Sequence, residues 1–164
     1  MASGESKLEV PLPVGVKRRV GLIIRKFSAE HKGVVINLDV INQIGLAFIE
    51  SFLDYKADEN PFGITTKDGF VAIDLGDLIE RARWGRKITG AKLVSSVSPG
   101  ERVKIAQLAW RVQEELMSPP DDLTMMFIAA YTLLEFYLEQ KSLGNPICSM
   151  VNDTPVAVTL VFSS

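Results

Sequence analysis

The segment Glu80 to Gly90, ERARWGRKITG, puts Arg81, Arg83, Arg86 and Lys87 around Trp84. A second basic group lies upstream, where Lys17, Arg18, Arg19, Arg25 and Lys26 share the stretch KRRVGLIIRK. Guanidinium and ammonium groups neutralise phosphates, and an indole among them can stack on an unpaired base, so both groups suit nucleic acid, and single strands in particular. The downstream group has a plainer reading as well. Cations in the last turn of a helix complement its dipole, Gly85 is a natural cap, and Trp84 can anchor that helix in the core. On that account Arg81 and Trp84 are structural, and Arg86 and Lys87, beyond the cap, are freer to bind. For the upstream group three readings stand: an edge strand guarded by charge, a face for nucleic acid, or a basic-apolar segment for an anionic membrane surface.

Other chemistries find little material. Ser-His-Asp or Cys-His catalysis needs a placed histidine, and the single one, His31, sits in the polar turn SAEHKG. Cys148, in NPICSM, has no basic neighbour to activate it and reads as a small buried apolar residue. One cysteine and one histidine cannot build a zinc site. Asp74, Asp77 and Glu80 lie three apart and could offer oxygens to a cation, but a helix cap followed by solvated acids accounts for the same residues. Asp58-Glu59 and Asp121-Asp122 are adjacent acids at a loop and a helix start. No GxxxxGK[ST] or GxGxxG is present, so neither a nucleotide nor any other cofactor is expected.

The elements that must carry these groups are read from periodicity. A chain of 164 residues without a low-complexity linker reads as one domain. Pro11 and Pro13 mark residues 1–15 as an extended arm, with a globular unit over 16–164. From Val16 to Phe27 the alternation of Val20, Leu22 and Ile24 with Arg19, Ile23 and Arg25 predicts a strand. GVVINLDV is either a hairpin partner for it or the lead-in to the next helix. That helix is predicted over Val40 to Tyr55, with Asn37 or Asp39 as its cap. Lys67-Asp68-Gly69 makes a turn before the strand FVAID, and Asp74 or Asp77 caps LIERARW. Ser98-Pro99-Gly100-Glu101 is a capping box opening a helix that ends near Met117, with Ile105, Leu108, Ala109, Val112 and Leu116 on its inner stripe.

The segment after Asp121-Asp122 differs from all of these. Between Leu123 and Leu138 all but Thr124, Thr132 and Glu135 are apolar, so this helix has to be surrounded, by its own fold or by another subunit. The expected fold is therefore α+β: a helix-rich single domain around a central apolar helix at about 121–142, with at least four helices and with short strands from the N-terminal third and the C-terminal tail TPVAVTLVFSS.

Composition points the same way. With 47% hydrophobic residues and a mean hydropathy of +0.18, the chain holds more apolar surface than a domain this small readily buries, which favours an oligomer. Charge is uneven: 16 basic against 13 acidic residues over 1–104, a balance of +3, and 2 against 7 over 105–164, a balance of −5. No secretory pattern opens the chain, no apolar run approaches the roughly 18 residues of a membrane span, and a lone cysteine suits a reducing compartment, so the expected place is the cytoplasm, or a virion.

The function expected from these features is that of a non-enzymatic structural protein that self-associates into a homo-oligomer. Viral matrix and coat subunits are the functional analogy, with a basic face for RNA, other nucleic acid or an anionic membrane. A nucleic-acid-binding regulator is the alternative, and an enzyme with a carboxylate site around Asp74 and Asp77 comes third.

Overall fold

The computed structural model describes residues 6–84, 88–117 and 123–158, and Arg86 and Lys87 lie outside them. Among the described residues five helices and two small antiparallel sheets make a helix-rich α+β domain. Its centre is α5 (Leu123–Ser142), buried on every side from Met126 to Leu134. The other helices, α1 (Val16–Glu30), α2 (Leu38–Ala57), α3 (Leu75–Ala82) and α4 (Pro99–Leu116), all pack on it. A helix without a polar side is stable in water when neighbours cover it, and these four do so. The α2–α5 approach is close because Gly45 has no side chain. A Cβ there would stand 3.1 Å from Ala130 Cβ.

The helix starts are set locally. Asn37 caps α2 by accepting from the Val40 amide at 3.0 Å, so GVVINLDV is the lead-in to a helix and not a strand. Asp74 caps α3 through the Asp77 amide at 2.9 Å. Ser98 and Glu101 complete the capping box of α4, which closes at Met117 in the left-handed conformation.

The strand predicted over Val16 to Phe27 is overturned: those residues form α1. Val16, Val20, Ile23 and Phe27 are its buried positions, spaced four, three and four apart, while Leu22, assigned to the apolar face of the strand, is 44% exposed. The reading of the upstream cations as guards of a strand edge falls with it. The described part of the arm ahead of α1 forms β1 (Ser6–Pro13), which pairs antiparallel with β4 (Ile88–Val97), a strand the periodicity of the sequence does not reveal. Leu8, Val10 and Leu12 face the core alongside Leu93 and Val97, so this ribbon covers one end of the helices.

The second sheet has the order β3-β2-β5-β6, built from β2 (Phe62–Thr66), β3 (Gly69–Ala72), β5 (Ile147–Val151) and β6 (Thr154–Ala157). The turn at Lys67-Asp68-Gly69 joins β3 to β2, and the C-terminal segment returns on β5 within the same chain.

Candidate binding surface: the basic helix and its arginine–tryptophan anchor

Helix α1 carries five cations and one acid. Its inner face is fixed by Val16, Val20, Ile23 and Phe27, which decides where each cation points. Lys17, Arg18, Arg25 and Lys26 are exposed. From Lys17 to Lys26 they span nine residues, about 13–14 Å of helix axis.

Arg19 is placed differently. Turned toward α5, it forms a two-point ion pair with Glu135, with Nε donating to Oε2 at 3.0 Å and Nη2 bonding Oε1. Its Nη1 donates to the Ala82 carbonyl at 2.8 Å, satisfying an unpaired acceptor at the C-terminus of α3. The guanidinium carbon lies 3.5 Å from the centroid of the Trp84 ring. Trp84 in turn donates from Nε1 to the Thr132 hydroxyl at 2.8 Å, and that hydroxyl donates to the Ile128 carbonyl at 2.7 Å. One arginine thereby ties α1, α3 and α5 together, and the tryptophan of the downstream basic segment is its platform.

The two basic groups thus meet at one contact, Arg19 on Trp84. Its chemistry is structural: the ring is half-buried against the core and its face already holds a cation, so it is not an open platform for a nucleic-acid base. Arg83 closes α3 in the left-handed conformation, with φ at 52°, and is exposed beside Arg81. Arg86 and Lys87 fall in the segment outside the described residues.

Charge pairing differs between the α2–α4 face and α1. Across the α2–α4 face three cations are matched within the chain: Lys56 with Glu115, Lys104 with Glu50 at 3.2 Å, and Arg111 with Asp54 at 2.8 Å. The one acid of α1, Glu30, is held by Lys141 at 3.5 Å. Among the described residues, Lys17, Arg18, Arg25 and Lys26 have no carboxylate partner; Lys7, Lys32, Lys67, Arg81 and Arg83 have none either, but α1 carries four such cations on a single helix. Beside Lys17, α1 and the β1–β4 ribbon enclose a shallow apolar trough of about 390 Å³ with Lys92 on its far wall.

The remaining candidates have local roles. His31 sits at the C-cap of α1 with its ring stacked 6.2 Å from that of Phe27. Cys148 is buried, with its sulfur 3.5 Å from the Thr65 hydroxyl. Asp74 is spent on its cap, and among the described residues no three His, Cys, Asp or Glu side chains gather as metal ligands. No described helix is long and apolar enough to cross a membrane. In the interior, burial pushes the Tyr131 phenol well above its ordinary range, and its hydroxyl donates to Asn42 Oδ1 at 2.7 Å. Compared with protein-family models, curated proteins and solved structures, the chain matches none, which leaves the chemistry of these surfaces as the ground for a functional reading.

Proposed function

We propose that this is a non-enzymatic interaction protein whose copies associate and which holds nucleic acid along the outer face of α1 through the phosphate backbone. The observation that supports this is the contrast in pairing: cations are matched to acids on the α2–α4 face, whereas Lys17, Arg18, Arg25 and Lys26 have no carboxylate partner among the described residues. Four uncompensated cations on one rigid helix repel one another and contribute nothing evident to the fold. An extended polyanion relieves that repulsion and releases its own counterions.

Backbone contact without base reading suits this face. It carries no aromatic side chain, and Trp84 is occupied by Arg19. Nucleic acid is favoured over a membrane because Leu22 is the one large apolar side chain exposed on α1, too little to seat a helix among acyl chains. Matrix- and coat-type subunits combine self-association with a basic face in the same way.

The test is fluorescence anisotropy with labelled single-stranded and duplex oligonucleotides, run beside flotation with vesicles of anionic lipid. Binding to the oligonucleotides that is lost when the α1 cations are neutralised is the expected result. Binding to the vesicles alone would transfer the role of the face to a membrane, and binding to neither would end this reading.

A further inference from the structure

Helix α4 is apolar on two opposite sides. Ile105, Leu108, Ala109 and Val112 are buried in the domain. On the other side Val103 and Trp110 stand seven residues apart and share one stripe, with Ala106 between them, and Met117, the left-handed cap residue seven beyond Trp110, follows at the end of the helix. Val103, Trp110 and Met117 are 59%, 60% and 92% exposed. Tryptophan and methionine are enriched at protein interfaces, and a tryptophan this exposed, in line with Val103 and followed by an exposed methionine at the helix end, is not an isolated surface residue.

The margins of the stripe show what can cover it. On the α2 side Lys104 and Arg111 are neutralised by Glu50 and Asp54. On the other side Arg102 donates to the Lys7 carbonyl at 2.9 Å. The stripe itself holds a single charge, Glu114, beside the neutral Gln107. A face with its bordering cations already engaged does not attract a polyanion, and it does not repel its own likeness.

We infer that this stripe is the seam between two copies of the chain, with α4 packed antiparallel on α4 about a two-fold axis at Trp110. The inference rests on the self-association proposed above and assigns it a surface. In this register the two Trp110 rings meet and Val103 lies opposite Met117 of the other copy. Each Glu114 lies opposite Ala106, with Gln107 alongside as a donor. The two Glu114 carboxylates are then eight residues apart along the seam, about 12 Å, whereas a parallel pairing would set them level with each other. Antiparallel packing therefore separates the like charges. An 18-residue helix is about 27 Å long. A seam of that length falls below the standard interface area of about 1,600 Å², so the dimer is expected to dissociate on the order of micromolar concentration.

Sedimentation velocity on the full chain from about 1 to about 100 µM brackets that constant. Trp110→Ser and Val103→Glu change side chains at the surface, and circular dichroism checks that each variant is folded. Each should weaken the dimer roughly 30-fold, the effect of losing an interface anchor. In oxidative cross-linking Trp110→Cys should link to its equivalent across the axis, and Met117→Cys should not, because its equivalent lies about 21 Å away along the seam. Self-association unchanged in both surface variants would overturn the stripe as the seam while leaving self-association intact. A wild-type monomer at every concentration would overturn both. Equal linking at Met117 and Trp110 would overturn the antiparallel arrangement.

Discussion

If α1 holds nucleic acid by phosphate contact alone, the salt dependence of binding counts its cations. Neutralising Z phosphates gives a slope of log K against log salt near −0.9Z on duplex DNA and −0.7Z on single strands. Lys17, Arg18, Arg25 and Lys26 are the unpaired cations of the helix, so with Z of four the expected slopes are about −3.6 and about −2.8. Raising salt from about 50 to about 200 mM should then weaken duplex binding about 150-fold. Replacing both Arg18 and Arg25 with glutamine keeps the helix propensity and most of the side-chain length but removes two contacts. The duplex slope should fall to about −1.8, and the same salt step should cost about 12-fold. Arg19→Met is the discriminating control: its guanidinium is bound to Glu135 and to the Ala82 carbonyl, so the slope should stay at its wild-type value although a cation is gone. Anisotropy titrations at four or more salt concentrations on the three proteins measure this. A double variant with the wild-type slope, or an Arg19→Met slope that drops by a full contact, would refute the division of the α1 cations into free and engaged.

The anchor, the core and the sheet give further expectations. Arg19→Met should destabilise the fold by roughly 1–2 kcal/mol in urea unfolding; Arg19 and Glu135 stay 27% and 29% exposed, so solvent screening keeps this below the figure for a fully buried pair. Tyr131→Phe should cost about 1–3 kcal/mol at neutral pH, because Asn42 loses a buried donor. It should also flatten the alkaline limb. The phenol is neutral in both states below about pH 10; above that it ionises in the unfolded chain first, and wild-type stability falls by up to about 1.4 kcal/mol per pH unit from this group until its raised folded-state value is reached. Gly63→Ala would bring a Cβ to 2.4 Å from the Phe70 ring and from the Val71 carbonyl, so the β2–β3 pair must part, with an expected loss of at least about 1–3 kcal/mol in thermal unfolding. Ser98→Ala removes one half of the α4 capping box and should cost about 1 kcal/mol in the same assay.

What could be read from the sequence is what short-range chemistry decides. The capping box at Ser98 and the almost wholly apolar run of α5 declare themselves within a few residues, and the caps of α2 and α3 were each narrowed to two residues, of which Asn37 and Asp74 hold the amides. Residues 16–27 read as a strand because LII among basic residues satisfies a period of two as well as one of 3.6; the outward position of Leu22 and the burial of Ile23 beside Val20 separate the two. Strand β4 was missed for a different reason. Its inward positions are Leu93, Ser95 and Val97, and the middle one is polar because its hydroxyl donates to Asp39 at 2.9 Å, which breaks the alternation that marks a strand. Its partner β1 lies some eighty residues earlier, and nothing local announces that pairing. The cations were visible, but not their division: Arg19 differs from Arg18 because of Glu135, 116 positions away. The outer stripe of α4 is legible in the sequence, since Val103 and Trp110 are spaced by seven with Ala106 between them.

The uneven charge of the two halves, +3 and −5, bears on where a partner can bind. Among the described residues four ion pairs cross between the halves. Arg19–Glu135 and Lys56–Glu115 take cations from the first half, and Arg111–Asp54 and Lys141–Glu30 take acids from it. These four pairs take two charges of each sign from each half, and so leave the balances of +3 and −5 as they were. The fold does not discharge the basic half; it redistributes it. On α4 and α2, Lys56, Lys104 and Arg111 are matched to acids within the chain and Arg102 is bound to the Lys7 carbonyl, which leaves a neutral apolar stripe suited to a second copy. On α1 four stay unmatched on one exposed face, where a polyanion can reach them all at once. Because the two surfaces lie on different helices and differ in charge, occupying one need not obstruct the other. A dimer closed at Trp110 carries two α1 faces, and if both can reach one strand, dimerisation raises its apparent affinity with no new contact to it.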